Sequence, residues 1–148
     1  MKTAKNNVHK CPFEIFEAVQ ACSNQADRIK ILLENESYEL KTILQGSFRS
    51  DIVFDLPSGA PPYKKNTSPP GMSYSPLKKQ IDILRMLLVG NNSWNKLKKE
   101  TSFIKFIEQL NEKDAEIIIA MKDKKLTKKY STITASLVKK AFPALGIE

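Results

Sequence analysis

Two helix starts lie in residues 24–44, NQADRIKILLENESYELKTIL. Asn24 is a strong N-cap residue, and Asp27 stands three residues later, where a capping-box carboxylate is placed. Ser37 can cap a second helix in the same way. After each cap the apolar residues recur at helical spacing, and we expect these to be buried: Ile29, Leu32, Leu33, Leu40, Ile43 and Leu44. The segment therefore predicts two consecutive amphipathic helices.

The helical pattern continues on both sides of this segment. Pro12 leads into the stripe Phe13, Phe16 and Val19, which is typical of a helix that starts with proline. Further helices are expected from Ser75-Pro76 to Gly90, from about Ser93 to Leu110 with a break near Thr101, from the Asn111–Asp114 capping pair onward, and from Thr132 or Thr134 to Phe142.

The expected fold is all-α, with seven helices and no convincing sheet. Alternating Ile52, Phe54 and Leu56 form a short extended piece without an obvious partner. The length of 148 residues suits one domain. We expect a flexible basic tail at residues 1–10 and a single helical domain at 11–148. Its core is expected to include Trp94, Ile104, Ile118 and Phe142.

A crossing rich in proline and glycine spans Pro57 to Pro76. We expect it to pack on the body of the domain through Tyr63, Met72 and Tyr74. Pro61-Pro62-Tyr63 is a short polyproline II stretch, which serves either as a rigid connector or as a contact surface for a partner protein.

Positive charge is concentrated toward the end of the chain. The formal net charge is +8, and residues 121–148 hold seven lysines against Asp123 and Glu148. Such asymmetry favours a polyanionic partner, with nucleic acid first and an acidic protein or membrane surface second. The alternative is a solvated, lysine-rich surface without a partner.

Several classes of protein are disfavoured by what the sequence lacks. The longest apolar run is Ile117–Met121, too short for a membrane span. Two cysteines, Cys11 and Cys22, suit reduced thiols in the cytoplasm, and His9 with Cys11 offers at most two metal ligands. No phosphate-binding loop, dinucleotide motif or nucleophile elbow occurs. We therefore expect no enzyme, no metal and no cofactor.

The segment from Ala120 to Leu145 combines a basic loop, a helix start rich in hydroxyl groups and a short closing helix. Unpaired N–H groups at a helix start bind phosphate. Ser131, Thr132 and Thr134 can add hydroxyl donors, and neighbouring lysines can supply charge. The alternative is that a hydroxyl only caps the helix while the lysines are solvated.

Three segments, taken in order, resemble the N-terminal DNA-binding domain of ATP-dependent DNA ligases, particularly those of T-even-type tailed phages. They are ILLENESYELKTIL at 31–44, the helix from Trp94 to Leu110 with the Asn111–Asp114 start, and SLVKKAFPAL at 136–145. The chain also resembles small stand-alone phage proteins that share the signatures PPYK, here at 61–64, and AMKDKKL, here at 120–126.

The resemblance implies an all-helical domain that grips the duplex backbone across the minor groove. Its phosphate-contacting turn would fall on Tyr130–Ala135, and a second contact region would fall between Lys41 and Arg49. The ligase motif Lys-x-Asp-Gly is missing. The resemblance therefore implies DNA binding without ligation.

The sequence thus predicts a non-catalytic, sequence-independent protein that binds double-stranded DNA, intact or nicked. It would serve phage replication, repair or transcription in the cytoplasm of an infected bacterium. The expected DNA contacts fall into four groups. An electrostatic steering patch is formed by Lys122, Lys124, Lys125, Lys128 and Lys129, and the phosphate donors are Ser131, Thr132 and Thr134. Lys139 and Lys140 flank these donors, and Lys41 and Arg49 belong to the second contact region. The alternative is an adaptor that docks on a phage or host polymerase, ligase or nuclease through the Pro57–Pro76 crossing.

Overall fold

The computed structural model describes residues 11–67 and 77–147, without the side chains of Lys78 and Lys79. These residues form eight α-helices, two 3₁₀ helices and no β-strand, so the expected all-α class is confirmed for them. The α-helices are α1 Pro12–Ala21, α2 Gln25–Glu34, α3 Tyr38–Phe48, α4 Leu77–Gln80, α5 Lys96–Glu108, α6 Glu112–Lys122, α7 Leu126–Lys129 and α8 Ala135–Ala141. The 3₁₀ helices are Ile81–Leu87 and Pro143–Leu145.

Side-chain caps set most of the helix starts. Asn24, Ser37, Asn111 and Thr134 each accept the N–H of the third residue that follows, over 2.9–3.2 Å, as the sequence predicts. Such caps satisfy backbone donors that the helix itself leaves unpaired. Helix α5 starts at Lys96, whereas the sequence predicted a start at about Ser93, because Asn95 caps it by accepting the N–H of Lys98 at 2.8 Å.

The buried residues form one apolar cluster to which helices before and after the crossing contribute. Helix α3 packs on α6, α1 on α2, and α2 on α8. Gly46 lies at the α3–α6 contact, where a Cβ atom would stand 2.7 Å from Sδ of Met121. Ile118 and Phe142 are buried as expected, whereas Trp94 and Ile104 are only half-buried at the edge of the cluster.

Several local predictions were wrong. The helix expected up to Gly90 is α-helical only to Gln80 among the described residues and then tightens into 3₁₀ geometry. Helix α5 runs unbroken through Thr101, whose hydroxyl donates to the carbonyl of Leu97. The lysine loop contains α7 as an additional short helix. The extended piece has a partner, because Phe54 forms an isolated antiparallel bridge with Leu88.

Leu33, which was expected to face inward, lies outside the core, and so does Leu97 of α5. Leu33 is 47% exposed and Leu97 is 73% exposed. A buried lysine takes the inward position on α5, since Lys99 donates to the carboxylate of Asp55 and the carbonyl of Leu88, both at 3.0 Å. A lysine that is buried through a specific partner is missed when only apolar residues are counted as the buried stripe.

The described part of the crossing, residues 57–67, is held against α5 and α6. The backbone N–H of Lys64 donates to Glu108 at 2.8 Å, and the Asn66 amide donates to the Gln109 carbonyl at 3.5 Å. Tyr63 is half-buried against the core, as expected. Residues 1–10, the Ser75-Pro76 helix start, Met72 and Tyr74 lie outside the described residues.

Candidate nucleic-acid interface

The C-terminal lysine segment, residues 124–147, contains six lysines and no acidic residue. It comprises α7, a turn, α8 and the final 3₁₀ helix. Leu126, Ile133 and Leu137 are fully buried, and the Thr127 hydroxyl donates to the Ile133 carbonyl at 2.7 Å. The backbone of the segment is therefore fixed to the core while its polar side chains face outward.

Four lysines of this segment carry charge that nothing in the described part of the chain neutralises. Lys125, Lys128, Lys139 and Lys140 are exposed, and their ammonium groups make no ion pair or hydrogen bond with the described residues. These four cations stand on α8 and on both sides of Leu126. They are the part of the predicted patch that can attract a polyanion.

Lys129 is partly neutralised. Its ammonium group lies 2.7 Å from a carboxylate oxygen of Glu116 and 5.7 Å from the ring centroid of Tyr130. Both partners of this ion pair are about one-third exposed, so the pair is screened by solvent. Lys129 therefore contributes less positive electrostatic potential to the surface than the four unpaired lysines do.

Lys122 does not belong to an exposed patch, which corrects the expectation for this residue. Its side chain is 2% exposed. The ammonium group donates to the carbonyls of Pro57 at 2.8 Å and Gly59 at 3.0 Å, and to the Asp123 carboxylate at 2.6 Å. Two of the three N–H donors thereby hold the crossing on the end of α6, and the third is bonded to Asp123.

Lys124 is exposed, but its ammonium group is bonded to the chain itself, contrary to expectation. Its ammonium group donates to the carbonyls of Gly46 at 2.5 Å, Arg49 at 2.9 Å and Ile52 at 2.5 Å. These carbonyls lie at and beyond the end of α3, where a cation also meets the negative end of the helix dipole. Burial lowers the pKa of Lys124, and the nearby negative charge of Asp51 raises this pKa by a smaller amount.

The three predicted hydroxyl donors have different environments. The Thr134 hydroxyl caps α8 by accepting the N–H of Leu137. The backbone N–H of Thr132 donates to Oε1 of Gln20 at 2.7 Å, and its hydroxyl contacts the same oxygen. Ser131 is exposed, and its hydroxyl makes no hydrogen bond with the described residues. The Thr132 hydroxyl is used as a donor to Gln20, whereas the O–H groups of Ser131 and Thr134 donate to none of the described residues and remain available to a phosphate.

Both cations of the predicted second region are held by partners within the chain. Lys41 pairs with Glu36 and lies 5.7 Å from the ring centroid of Phe142. Arg49 grips Asp51 with two bonds, Nε to Oδ1 at 2.9 Å and Nη2 to Oδ2 at 2.6 Å. The paired guanidinium lowers the pKa of Asp51. Lys41 and Arg49 are therefore positioned by internal contacts.

Two residues that sequence reasoning missed shape this surface. Gln20 holds the turn at Thr132 from 112 positions away, and Glu116 pairs with Lys129 across 13 positions. No local pattern marks Gln20, because its partner is remote in sequence. Glu116 could have been considered from its place on α6, the helix that α7 packs against.

Fold and site together define a helical protein with a lysine-rich C-terminal surface fixed on an apolar core. The chain belongs to the family of unknown function DUF6433, whose sequence pattern matches residues 15–128. Helix α7 begins inside the matched region, and α8 follows it. Comparison with curated proteins gives no match, and comparison with solved structures also gives none.

Two features are absent from residues 11–67 and 77–147. None of their helices has the length and apolar character needed to cross a membrane. Within the same residues, no three His, Cys, Asp or Glu side chains are grouped so that they could hold a metal ion.

Proposed function

We propose that the protein is a non-catalytic, sequence-independent binder of double-stranded DNA that attaches to the phosphate backbone. The observation that carries the proposal is the group of exposed, unneutralised lysines on a segment without acidic residues: Lys125, Lys128, Lys139 and Lys140. Contacts of this kind release counterions from DNA and fix a protein on the duplex without reading bases.

Burial of the aromatic residues supports duplex over single-stranded DNA. Tyr130 and Phe142 are the aromatic residues of the lysine segment, and both are buried. Tyr130 packs edge to face on Phe16, with 5.4 Å between the ring centroids. Proteins that bind single strands without sequence preference usually present exposed aromatic rings for stacking on bases.

The resemblance to the DNA-binding domain of phage ligases supports the same proposal at the turn from Tyr130 to Ala135. There the exposed Ser131 hydroxyl stands between the lysines of α7 and those of α8. We propose a role as an accessory of phage replication, repair or transcription. The contacts proposed for DNA are Lys125, Lys128, Lys139, Lys140 and Ser131, with Lys129 in a lesser role.

The test is fluorescence anisotropy of labelled intact duplex, nicked duplex and single-stranded DNA over a range of salt concentrations. On duplex, the slope of log affinity against log salt is expected to be about −0.9 per phosphate neutralised. The double variant Lys128→Ala/Lys139→Ala should flatten that slope by up to about 2 and weaken binding at every sequence tested.

The matched control is Lys64→Ala/Lys105→Ala, which removes the same charge from two exposed lysines on the crossing and α5. We expect this control to keep the wild-type slope. Equal losses in both double variants would show that net charge alone drives binding and would contradict the proposed interface. No duplex binding at low salt would overturn the proposed function.

A further inference from the structure

A groove separate from the lysine segment lies between α3 and the 3₁₀ helix Ile81–Leu87. Its volume is about 230 Å³. The walls and floor are mainly apolar, formed by Ile52, Phe54, Ile81, Leu84 and Leu88. Gly46, Thr42 and Gln45 line the α3 side of the groove.

The rim of the groove is polar and asymmetric. The Tyr38 hydroxyl lies 2.5 Å from Oδ1 of Asp82, to which it donates, and it accepts from Nη2 of Arg85 at 3.3 Å. Arg85 is exposed, and no carboxylate of the described residues pairs with its guanidinium. The rim therefore carries both signs of charge: Asp82 accepts from Tyr38, whereas the other N–H donors of Arg85 make no bond with the described residues. The guanidinium is the group of the rim that can pair with a carboxylate.

The size of the groove limits what can occupy it. A cavity of about 150 Å³ holds a benzene ring, whereas pockets for metabolites and cofactors usually measure about 300–1,000 Å³. A space between these limits suits one large apolar side chain. Single anchors of this kind, seated in a preformed pocket, carry much of the binding energy at protein interfaces.

We infer that the groove between α3 and the 3₁₀ helix receives one aromatic or branched aliphatic side chain of a partner protein. An acidic residue next to that anchor in the partner pairs with Arg85. Burial of the apolar anchor side chain supplies the affinity. The partner's carboxylate at the rim supplies selectivity and raises the association rate. This site does not depend on the proposed DNA contacts, because its lining residues lie on α3, the extended piece and the 3₁₀ helix.

The test is the panning of a phage-displayed library of random dodecapeptides against the full-length protein. We expect enriched peptides to share one Phe, Trp, Leu or Met beside Asp or Glu. Amide chemical shifts of Ile52, Ile81 and Leu84 should move and saturate when the best peptide is titrated into the labelled protein. Peptides enriched without such an apolar–acidic motif, or no enrichment, would overturn the inference.

Two variants examine the groove separately. Thr42→Trp should fill the opening and abolish peptide binding. Arg85→Glu, at an exposed position, should reduce affinity for the acidic peptide at least about tenfold and select basic peptides when the panning is repeated. The control Lys105→Glu makes the same charge reversal on α5 and should leave peptide affinity unchanged.

Equal loss in Arg85→Glu and Lys105→Glu would overturn the assignment of Arg85, even if Thr42→Trp failed to fold. Failure of the DNA proposal would appear in the anisotropy experiment and would not alter these peptide results. The two proposals are therefore tested independently.

Discussion

The carboxylate of Asp114 accepts a hydrogen bond of 3.0 Å from the backbone N–H of Phe13, which lies 101 residues earlier. The same carboxylate accepts from the side-chain amide of Asn111 at 2.8 Å. It therefore ties the first turn of α6 to the first turn of α1. The sequence predicted Asp114 as the capping partner of Asn111, and it did not predict that the side chain is buried and bonded to α1.

Asp114 should make stability depend on pH. Burial, with a smaller contribution from the charge of Glu14, raises the pKa of Asp114 to about 6, against the hydrogen bonds from Phe13 and Asn111. Between about pH 4 and pH 6 the folded state therefore keeps a proton on Asp114 that the unfolded chain has released. The contribution of Asp114 to the free energy of unfolding falls as the pH rises through this interval and beyond it. Between pH 4.5 and 7 the loss is about 2 kcal/mol.

The side chain of Asp114→Asn cannot ionise. The free energy of unfolding of this variant is therefore expected to rise by about 2 kcal/mol relative to that of wild type between pH 4.5 and 7. The measurement is urea unfolding of both proteins at several pH values. The comparison cancels the titration of all other groups. A stability difference that stays constant with pH would mean that Asp114 titrates alike in the folded and unfolded chains.

Lys122→Met should lower stability without altering the salt dependence of DNA binding. The substitution removes three charge-assisted hydrogen bonds from a buried ammonium group, two of them to carbonyls of the crossing, so we expect a loss of about 2–3 kcal/mol in the free energy of unfolding. Thermal unfolding measures that loss, and anisotropy measures the salt slope. Lys125→Met, at an exposed position, is the control and should give the opposite pattern. A flatter slope of log affinity against log salt in Lys122→Met would show that this lysine contacts DNA.

Lys124 allows a comparison of glycine with alanine at one position. Its backbone has φ +60°, a left-handed conformation that costs a residue with a Cβ about 1 kcal/mol. Lys124→Ala and Lys124→Gly lose the same three hydrogen bonds, but only alanine retains the backbone cost. Chemical denaturation should therefore find the glycine variant more stable than the alanine variant by about 1 kcal/mol. The reverse order would contradict the conformation described for this residue.

Gly46 should tolerate a larger residue only if Met121 is replaced by a smaller residue at the same time. A Cβ at Gly46 would stand 2.7 Å from Sδ and 3.0 Å from Cγ of Met121, which is fully buried. We expect Gly46→Ala to cost about 1–2 kcal/mol, despite the better helix propensity of alanine. In Gly46→Ala/Met121→Ala, the total loss should be smaller than the sum of the single losses by about 1 kcal/mol. Simple additivity in the double-mutant cycle would show that the two residues do not interact.

Local chemistry explains which parts of the fold the sequence predicted. The caps at Asn24, Ser37 and Asn111 were predicted correctly, because each bond joins residues three positions apart. Thr134, one of the two predicted starts of the last helix, is its cap. The bridge between Phe54 and Leu88 was not predicted, because its partner stands 34 positions away. The tightening after Gln80 was also missed, since 3₁₀ and α geometry share most of their side-chain pattern.

The candidate interface was predicted less well than the helices. Lysines look alike in a sequence whether they are solvated, like Lys128, or enclosed, like Lys122. One signal was available, because Lys122 stands four positions after Ile118 and seven after Ala115, on the buried side of α6. Lys99 stands in the same relation to Phe103, four residues before it. Lysine positions that continue an apolar stripe therefore indicate internal contacts.

The contacts of Lys124 have a consequence for biosynthesis. The carbonyls that end α3 are satisfied by an ammonium group located 78, 75 and 72 residues further along the chain. While the ribosome is making the first hundred residues, that helix end must remain hydrated and α1 must lack its carboxylate from Asp114. The nascent N-terminal half is therefore expected to stay loosely structured, and to acquire its final form only when the lysine segment emerges from the exit tunnel.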